Sequence, residues 1–372
     1  MSFCRTAAMK GHLYRCPNCD WRVNVYNSCT DRHCPQCMGA RRADWVNKTS
    51  ELLRSGTEYF QIVFTLPQAL SSLVLGNRQQ LYRLLFRSAA DALQRSIAEE
   101  CGMQAASTMV LHTWNQRLGR HPHVHALVPG SGPALDGTRW VPCRYTKATG
   151  RKPARPFLVD NKELGRRFRD HYVRSVRRLI KAGALQVEDS VEVNQLLSDV
   201  AARDWVVYIQ PPPQAGSDPA DVVKYLARYM TGGPISDHRL IEVKEGRVYF
   251  WARSEDKSGK RVPVSLEAVE FVRSWTLHIL PQGFTKARCY GGWSNRQREA
   301  YLQQCEQLQP ARPIPADAAS ETSSLEPQAE AVRKCPQCET PMELESSARR
   351  PRWCELFYGP DHPQWAEWLG SG

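Results

Sequence analysis

The sequence predicts an α+β protein with a central antiparallel or mixed sheet flanked by helices. Four runs have the apolar, β-branched character of strands: YFQIVFTL (59–66), STMVLHTW (107–114), VHALV (124–128) and WVVYIQ (205–210). Long helical patterns over 77–100 and 161–182 interleave with them, and the cysteines cluster at the two ends of the chain. We therefore expect one α+β domain between two small cysteine-containing modules.

The charge of the chain favours a polyanionic partner. Fifty Lys and Arg residues outnumber 38 Asp and Glu residues among 372, which gives a formal net charge of +12. Such an excess is typical of proteins that bind nucleic acid, although a merely basic enzyme is the alternative. No run approaches the roughly 18 apolar residues of a spanning helix, and we expect a cytoplasmic protein whose cysteines bind metal.

The N-terminal module contains two CxxC pairs in CPNCDWRVNVYNSCTDRHCPQC (16–37). Each CxxC turn presents two thiolates to one ion, and four sulfurs complete the tetrahedral shell of a structural zinc. The spacing thus predicts a Zn²⁺ site formed by Cys16, Cys19, Cys34 and Cys37. Cys29 and His33 are alternative ligands.

A histidine-rich segment, GRHPHVHALVPG (119–130), carries His121, His123 and His125 two residues apart. In a strand these positions project to one face, so the three imidazoles can converge on one divalent metal ion. Histidines satisfied in the core or exposed to solvent are the alternative. Pro122 interrupts strand pairing and places His121 at or before the beginning of the strand.

A tyrosine pair lies on a predicted helix about a hundred residues later, in DPADVVKYLARYMTGGP (218–234). Ser217 or Asp218 can cap this helix, and a Gly-Gly-Pro sequence ends it. Tyr225 and Tyr229, four residues apart, share one helical face. Taken alone, two phenols at this spacing indicate packing.

The meander predicted by RLIEV, GRVYFWAR and RVPVS precedes another helix near 266–278. Residues 306–334, rich in Pro, Ala, Glu and Ser, are expected to be a flexible linker. Beyond it, Cys335, Cys338 and Cys354 offer three sulfurs, so a C-terminal zinc site needs a fourth ligand such as His362.

Three segments together resemble the two-tyrosine rolling-circle transposases of bacterial insertion sequences, members of the HUH endonuclease superfamily. They are LHTWNQRLGRHPHVHALVPGSG, VVKYLARYMTGGPISDHRL and EFVRSWTLHILPQGFTKARCYG. The segment YRCPNCDWRVNVYNSCTDRHCPQC resembles the zinc-binding domain that precedes these enzymes. The likeness extends from about residue 5 to 300. One departure is MTGGPIS, where many relatives carry a basic segment after the second tyrosine.

The resemblance implies an HUH-type nuclease domain over 55–305, a zinc-binding domain over 1–50, a linker over 306–334 and a cysteine knuckle over 335–372. It implies that His123 and His125 hold a catalytic Mg²⁺ or Mn²⁺, with His121 or a polar residue from elsewhere as third ligand. Tyr225 and Tyr229 are then the nucleophiles of a 5′-phosphotyrosine reaction that nicks and rejoins DNA.

The implied partners are single-stranded or hairpin DNA at transposon ends and target DNA. The implied location is the bacterial cytoplasm, in association with the nucleoid. Phosphate contacts are expected from basic residues of the loop after residue 143 and of the helix over 161–182, where few acidic residues compensate the arginines. The candidates are Arg151, Lys152, Arg155, Arg166, Arg167, Arg174, Arg177 and Arg178.

Three alternatives remain open at this point. A plasmid replication initiator or relaxase shares the nicking chemistry. A non-enzymatic zinc-ribbon DNA-binding protein would use its histidines structurally, and a hydrolytic metallonuclease would activate water at the same metal.

Overall fold

The structure, a computed structural model, describes residues 3–31, 33–150, 153–212, 233–254, 259–310, 333–352 and 355–356. The helices are α1 (Met38–Ser50), α2 (Ser71–Gly76), α3 (Arg78–Cys101), α4 (Asn161–Lys181), α5 (Ser190–Ala201), α6 (Ala268–Thr276) and α7 (Arg298–Leu308). The strands are β1 (Gly11–Arg15), β2 (Arg22–Tyr26), β3 (Tyr59–Thr65), β4 (Ala106–Trp114), β5 (Arg120–Pro129), β6 (Gly132–Pro133), β7 (Trp140–Val141), β8 (Arg144–Tyr145), β9 (Pro156–Phe157), β10 (Val207–Gln210), β11 (Leu240–Lys244), β12 (Arg247–Arg253), β13 (Arg261–Glu267), β14 (Ala287–Gly291) and β15 (Glu343–Ser347).

The chain divides into two compact units: residues 1–41 with 313–372, and residues 42–312. In the first unit, β1 pairs with β2 in a hairpin, and β15 pairs with the other edge of β1. The structure therefore differs from the expected division into separate terminal modules. The segment after the linker completes the N-terminal sheet, a pairing across more than 300 residues that no local pattern encodes.

The second unit is built on a five-stranded antiparallel sheet in the order β10-β3-β5-β4-β14. This confirms the predicted α+β class with a central antiparallel sheet. Three of the predicted helices are present as α3, α4 and α6, and the predicted meander is the sheet β11-β12-β13, whereas the tyrosine helix predicted within 218–234 lies outside the described residues.

The central sheet has two different faces because side chains alternate along each strand. One face presents apolar residues such as Ile62, Leu111 and Val124 to α3 and α4, and these side chains are fully buried. The opposite face is apolar at one end, where Leu127 packs with Trp293 in a smaller cluster. The remaining part of that face carries the histidines.

Helix α4 shows how sequence sets local structure. The Asp160 side chain accepts a hydrogen bond from the backbone N–H of Glu163 and caps the helix, as an N-cap Asp does. Its residues Leu164, Phe168 and Val176 form the buried stripe that the 3.6-residue period predicts. Among the described helices, none combines the length and the apolar character that crossing a membrane requires.

Candidate active site

Three histidines converge on the open face of the central sheet. The antiparallel pairing of β4 with β5 sets His112 directly opposite His123, and His125 follows two residues later on the same face. His112, His123 and His125 each offer one ligand atom, and these atoms all lie within 4.8 Å of one another. The ring centroids of His112 and His125 are 4.6 Å apart, and those of His123 and His125 are 4.9 Å apart. Such a cluster can hold a divalent metal ion.

The third member of this cluster is His112, whereas His121 is not part of it. A residue directly opposite on the neighbouring strand lies about 4.5–5.5 Å away. His121, by contrast, lies two strand positions beyond His123 on the side away from His125, roughly 13 Å along the strand from that residue. Of the two alternatives for the third position, His121 or a polar residue from elsewhere, the structure thus brings the second, His112, to the cluster in place of His121.

His121 instead contributes its backbone to the orientation of His123. The ring nitrogen Nδ1 of His123 donates to the carbonyl oxygen of His121 over 2.6 Å. That hydrogen bond fixes the tautomer and leaves the lone pair of Nε2 for a metal.

A buried glutamine orients His125. The side-chain amide nitrogen of Gln61, on β3, lies 2.9 Å from Nδ1 of His125, and Gln61 is only 7% exposed. Metal-binding histidines donate from their second ring nitrogen to an acceptor, and the Gln61 amide supplies one when its oxygen is turned towards the ring, which leaves Nε2 of His125 for a metal. Sequence analysis missed Gln61, although a lone amide inside the apolar run YFQIVFTL was a visible signal.

Desolvation keeps two of the imidazoles neutral. Burial, helped by the charge that His125 would carry, lowers the pKa of His123 to about 3. Burial lowers the pKa of His125 to about 4, and the positive charge of Lys286 acts in the same direction. Both rings are therefore neutral at about pH 7, the form in which imidazole binds metal.

A tryptophan and a lysine adjoin the cluster. The Trp114 ring stacks on His112 with centroids 4.7 Å apart and an interplanar angle of 19°. The Nζ atom of Lys286 lies 5.2 Å from the centroid of the Trp114 ring. An ammonium group in this position can attract a phosphate towards the histidines.

The loop that joins β4 to β5 is anchored by a buried histidine. His278 donates from Nε2 to the carbonyl oxygen of Leu118 over 3.0 Å, and its Nδ1 lies 3.1 Å from the hydroxyl of Thr113. Asn115 also accepts hydrogen bonds from the backbone of Arg117 and Gly119. These contacts hold the hairpin that presents His112 and His123.

Several candidate site residues lie outside the described part of the chain: Tyr225, Tyr229, Arg151 and Lys152. Arg155 is exposed. On α4, Arg166 and Arg167 both pair with Glu163, and Arg167 also pairs with Glu99. The expectation that this helix lacks compensating acids is thus wrong for its first half.

The second half of α4 is different. Arg177 donates to the hydroxyl of Ser198 over 3.0 Å, whereas Arg174 and Arg178 make no ion pair with any described residue. These two arginines remain candidates for phosphate contact.

In the N-terminal unit, eight cysteines form two separate tetrads. The first contains Cys4, Cys29, Cys34 and Cys37, with sulfur atoms of Cys4 and Cys37 3.6 Å apart. The second contains Cys16, Cys19, Cys335 and Cys338, with sulfurs of Cys16 and Cys338 3.4 Å apart. Four sulfurs about 2.3 Å from one zinc ion lie roughly 3.8 Å from each other, so both tetrads fit zinc.

The single four-cysteine site expected from the two CxxC pairs is therefore corrected. Each pair belongs to a different tetrad, because Cys16 and Cys19 lie in the turn between β1 and β2, whereas Cys34 and Cys37 follow the other end of that hairpin. Cys29 is a member of the first tetrad, and the ring of His33 contacts the Asp31 carboxylate at 3.2 Å. Cys354 and His362 lie outside the described residues.

A mixed fold carries a histidine cluster that can hold a metal ion and an N-terminal unit with two cysteine tetrads, and comparison with known families shows the class to which such a chain belongs. Residues 106–300, more than half of the chain, match the family model Y2_Tnp, described as "Putative transposase". Residues 1–66 match Zn_Tnp_IS91, "Transposase zinc-binding domain". The chain therefore belongs to the Y2_Tnp transposase family, of the insertion-sequence type with an N-terminal zinc-binding domain.

Two relatives support this assignment. "Putative transposase y4qJ" of Sinorhizobium fredii (strain NBRC 101917 / NGR234) is 34% identical over 354 residues, which cover 91% of this chain and 85% of the relative. "Transposase for insertion sequence element IS801" of Pseudomonas savastanoi pv. phaseolicola is 27% identical over 319 residues, covering 85% and 74%. Among solved structures, the conjugative relaxase TrwC in complex with oriT DNA matches 50% of this chain and 94% of its own, with a TM-score of 0.19 and 9% identity.

Proposed function

We propose that this transposase cuts one DNA strand at a transposon end through a 5′-phosphotyrosine intermediate and rejoins the strand to a target. The observation that carries the proposal is the convergence of His112, His123 and His125 on the open face of the central sheet. A ready-made set of neutral imidazoles beside a lysine suits a phosphodiester substrate.

The residues present fit a divalent ion. Among the described residues the cluster contains three imidazoles and no carboxylate, a donor set that favours Mn²⁺ or a later transition metal over Mg²⁺. When bound, such an ion polarises a phosphoryl oxygen of the scissile phosphate. His112, His123 and His125 hold it, and Gln61 and the backbone of His121 orient two of these rings.

The proposed nucleophile is the hydroxyl of Tyr225 or Tyr229. Its oxygen forms a bond to phosphorus while the bond from phosphorus to the 3′ oxygen breaks. The strand that follows the nick stays attached by a 5′-phosphotyrosine bond, and the phenolic proton passes to solvent while the departing 3′ oxygen becomes a hydroxyl. One phosphoester replaces another, so the energy needed for rejoining is conserved.

The strand acted upon is single-stranded or a hairpin, because a phosphate held within a base-paired duplex has less access to a partly buried metal site. Attack by a free 3′ hydroxyl on the phosphotyrosine bond reverses the chemistry and releases the enzyme. A second tyrosine four residues away in the sequence, a spacing that predicts one helical face, permits a second covalent link before the first is resolved.

The proposal is tested with single-stranded oligonucleotides carrying the transposon end, labelled at either terminus and incubated with Mn²⁺ or Mg²⁺. A 3′ label should become attached to the protein on a denaturing gel, whereas a 5′ label should appear on a free, shorter fragment. The adduct should be lost when Tyr225→Phe and Tyr229→Phe are combined, and each single variant separates the two roles.

Two outcomes contradict the proposal. If the double variant still cuts and leaves a free 5′ end, the protein is a hydrolytic metallonuclease. If the wild-type protein binds the oligonucleotide but forms no adduct with any divalent ion, the histidines are structural. A replication initiator would form the adduct without transferring the strand to a second DNA, so a target duplex in the same assay distinguishes transposition.

A further inference from the structure

Helices α3 and α4 form a groove on the other side of the molecule's central sheet from the histidines. Both helices pack on the face that presents Leu111 and Val124, whereas His123 and His125 project from the opposite face. The groove has a volume of about 390 Å³. It is therefore separate from the candidate active site.

Four arginines surround this groove. Arg83 and Arg87 lie one helical turn apart on α3, and Arg174 and Arg178 lie one turn apart on α4. Three of them line the groove directly, and all four side chains are exposed. None of the four side chains forms an ion pair or hydrogen bond with a described residue, unlike that of Arg95 on α3, which pairs with Asp91.

Like charges at this spacing destabilise a helix, and a second such pair across the groove adds to the repulsion. The positive charges of these arginines also act on the pKa of His171, which lines the groove. Its pKa is lowered first by burial and further by the charges of Arg174 and Arg87, against the opposing influence of Asp91. An arrangement that repels itself without a partner is relieved by a bound polyanion.

The other lining residues indicate which polyanion fits. Gln80 and Ser175 supply neutral hydrogen-bonding groups of the kind that contact DNA phosphates and sugars. Leu84 and Leu179 supply aliphatic surface, and the described residues of the lining include no Phe, Tyr or Trp. Proteins that hold single strands stack the bases on such aromatic rings, so this groove is built for a backbone whose bases are already paired.

We propose that the α3–α4 groove binds the sugar–phosphate backbone of duplex DNA. The duplex is the paired DNA that continues from the single strand undergoing cleavage, and this role rests on the proposed function. The duplex then contacts the protein on the helical side of the sheet while the unpaired strand reaches the histidines on the other side.

The test measures binding of a short fluorescein-labelled duplex and a single strand of the same sequence by anisotropy, over about 50 to 200 mM salt. The variant combines Arg83→Gln with Arg178→Gln. Its matched control combines Arg95→Gln with Lys162→Gln, which removes two positive charges from the other end of the same two helices. The groove variant should lower the slope of log affinity against log salt for the duplex by about 1.8, because each lost phosphate contact contributes about 0.9.

Equal duplex slopes for the groove variant and the control would overturn the proposal, and so would a larger loss for the single strand than for the duplex. Thermal denaturation checks that the variant is folded, and removal of repulsion should leave the melting temperature unchanged or higher. Cleavage of single-stranded oligonucleotide is assayed in parallel. If the groove variant binds duplex as the control does and the wild-type protein forms the adduct, only the groove proposal is refuted. If the groove variant binds duplex more weakly and the wild-type protein forms no adduct, only the phosphotyrosine mechanism is refuted.

Discussion

His112 lies directly opposite His123 in the antiparallel pairing of β4 with β5, and the centroids of the two rings are 5.4 Å apart. The relationship joins two residues 11 positions apart through a loop anchored by His278. It completes a cluster of three histidines that can hold a metal ion, of which the alternation along β5 supplies only His123 and His125. The stacking of Trp114 on His112 further restricts this third ring.

Replacing His112 with Ala should therefore lower the affinity for Mn²⁺ by at least about 100-fold. Loss of a residue that hydrogen-bonds to a metal ligand typically costs about 10- to 100-fold, and loss of the ligand itself costs more. His121→Ala is the matched control, because its contribution to the cluster is a backbone carbonyl that alanine retains. Isothermal titration with Mn²⁺ measures both. Equal losses for the two variants would contradict the assignment of His112.

Local periodicity predicted much of this fold and some of the residues of the histidine cluster and the cysteine tetrads, but not all of them. The alternation along 121–125 placed His123 and His125 on one face, and 3.6-residue patterns predicted α3 and α4. The third ligand depends on strand register, and Cys4 joins its tetrad across 25 residues that include a hairpin. These pairings are decided by long-range packing, so a pattern within one segment predicts the ligand types but not the partners.

Gln61 should act as a positioning residue for the metal cluster. Gln61→Leu preserves side-chain size but removes the hydrogen bond to Nδ1 of His125, so we expect Mn²⁺ affinity to fall about 10- to 100-fold. Gln61→Glu supplies a carboxylate that can accept from Nδ1–H, and it should retain the affinity. A purely structural role for Gln61 would instead lower the melting temperature of both variants while leaving the affinity of the folded protein unchanged.

The zinc content of the protein distinguishes two cysteine tetrads from a single four-cysteine site. In a His112→Ala background, which disables the histidine cluster, the purified chain should contain two zinc ions, and Cys335→Ser should reduce this to one while lowering the thermal stability of the N-terminal unit. Cys34→Ser should also leave one ion, and combining the two substitutions should leave none. Elemental analysis by mass spectrometry measures the content, with Cys289→Ser, outside both tetrads, as the control. A value unaffected by Cys335→Ser would restore the single-site interpretation.

Metal binding should resist mild acid. A proton and a metal ion compete for the same imidazole lone pair, and an ordinary histidine with a pKa near 6.5 binds metal about tenfold more weakly at roughly pH 5.5. The pKa values of His123 and His125 lie at about 3 and about 4 because partial burial desolvates both rings, so protonation of these two ligands begins only well below that pH. Mn²⁺ affinity, followed by electron paramagnetic resonance, should therefore change little through this competition as the pH falls from about 7.5 to 5.5, whereas two ordinary histidines would lose about 100-fold together.

Replacing Lys286 with Met, which removes a charge that opposes protonation of His125, should move the onset of the loss of Mn²⁺ affinity to higher pH. An affinity that already falls steeply near pH 6.5 in the wild-type protein would mean that solvent reaches both rings and that burial does not set their pKa values.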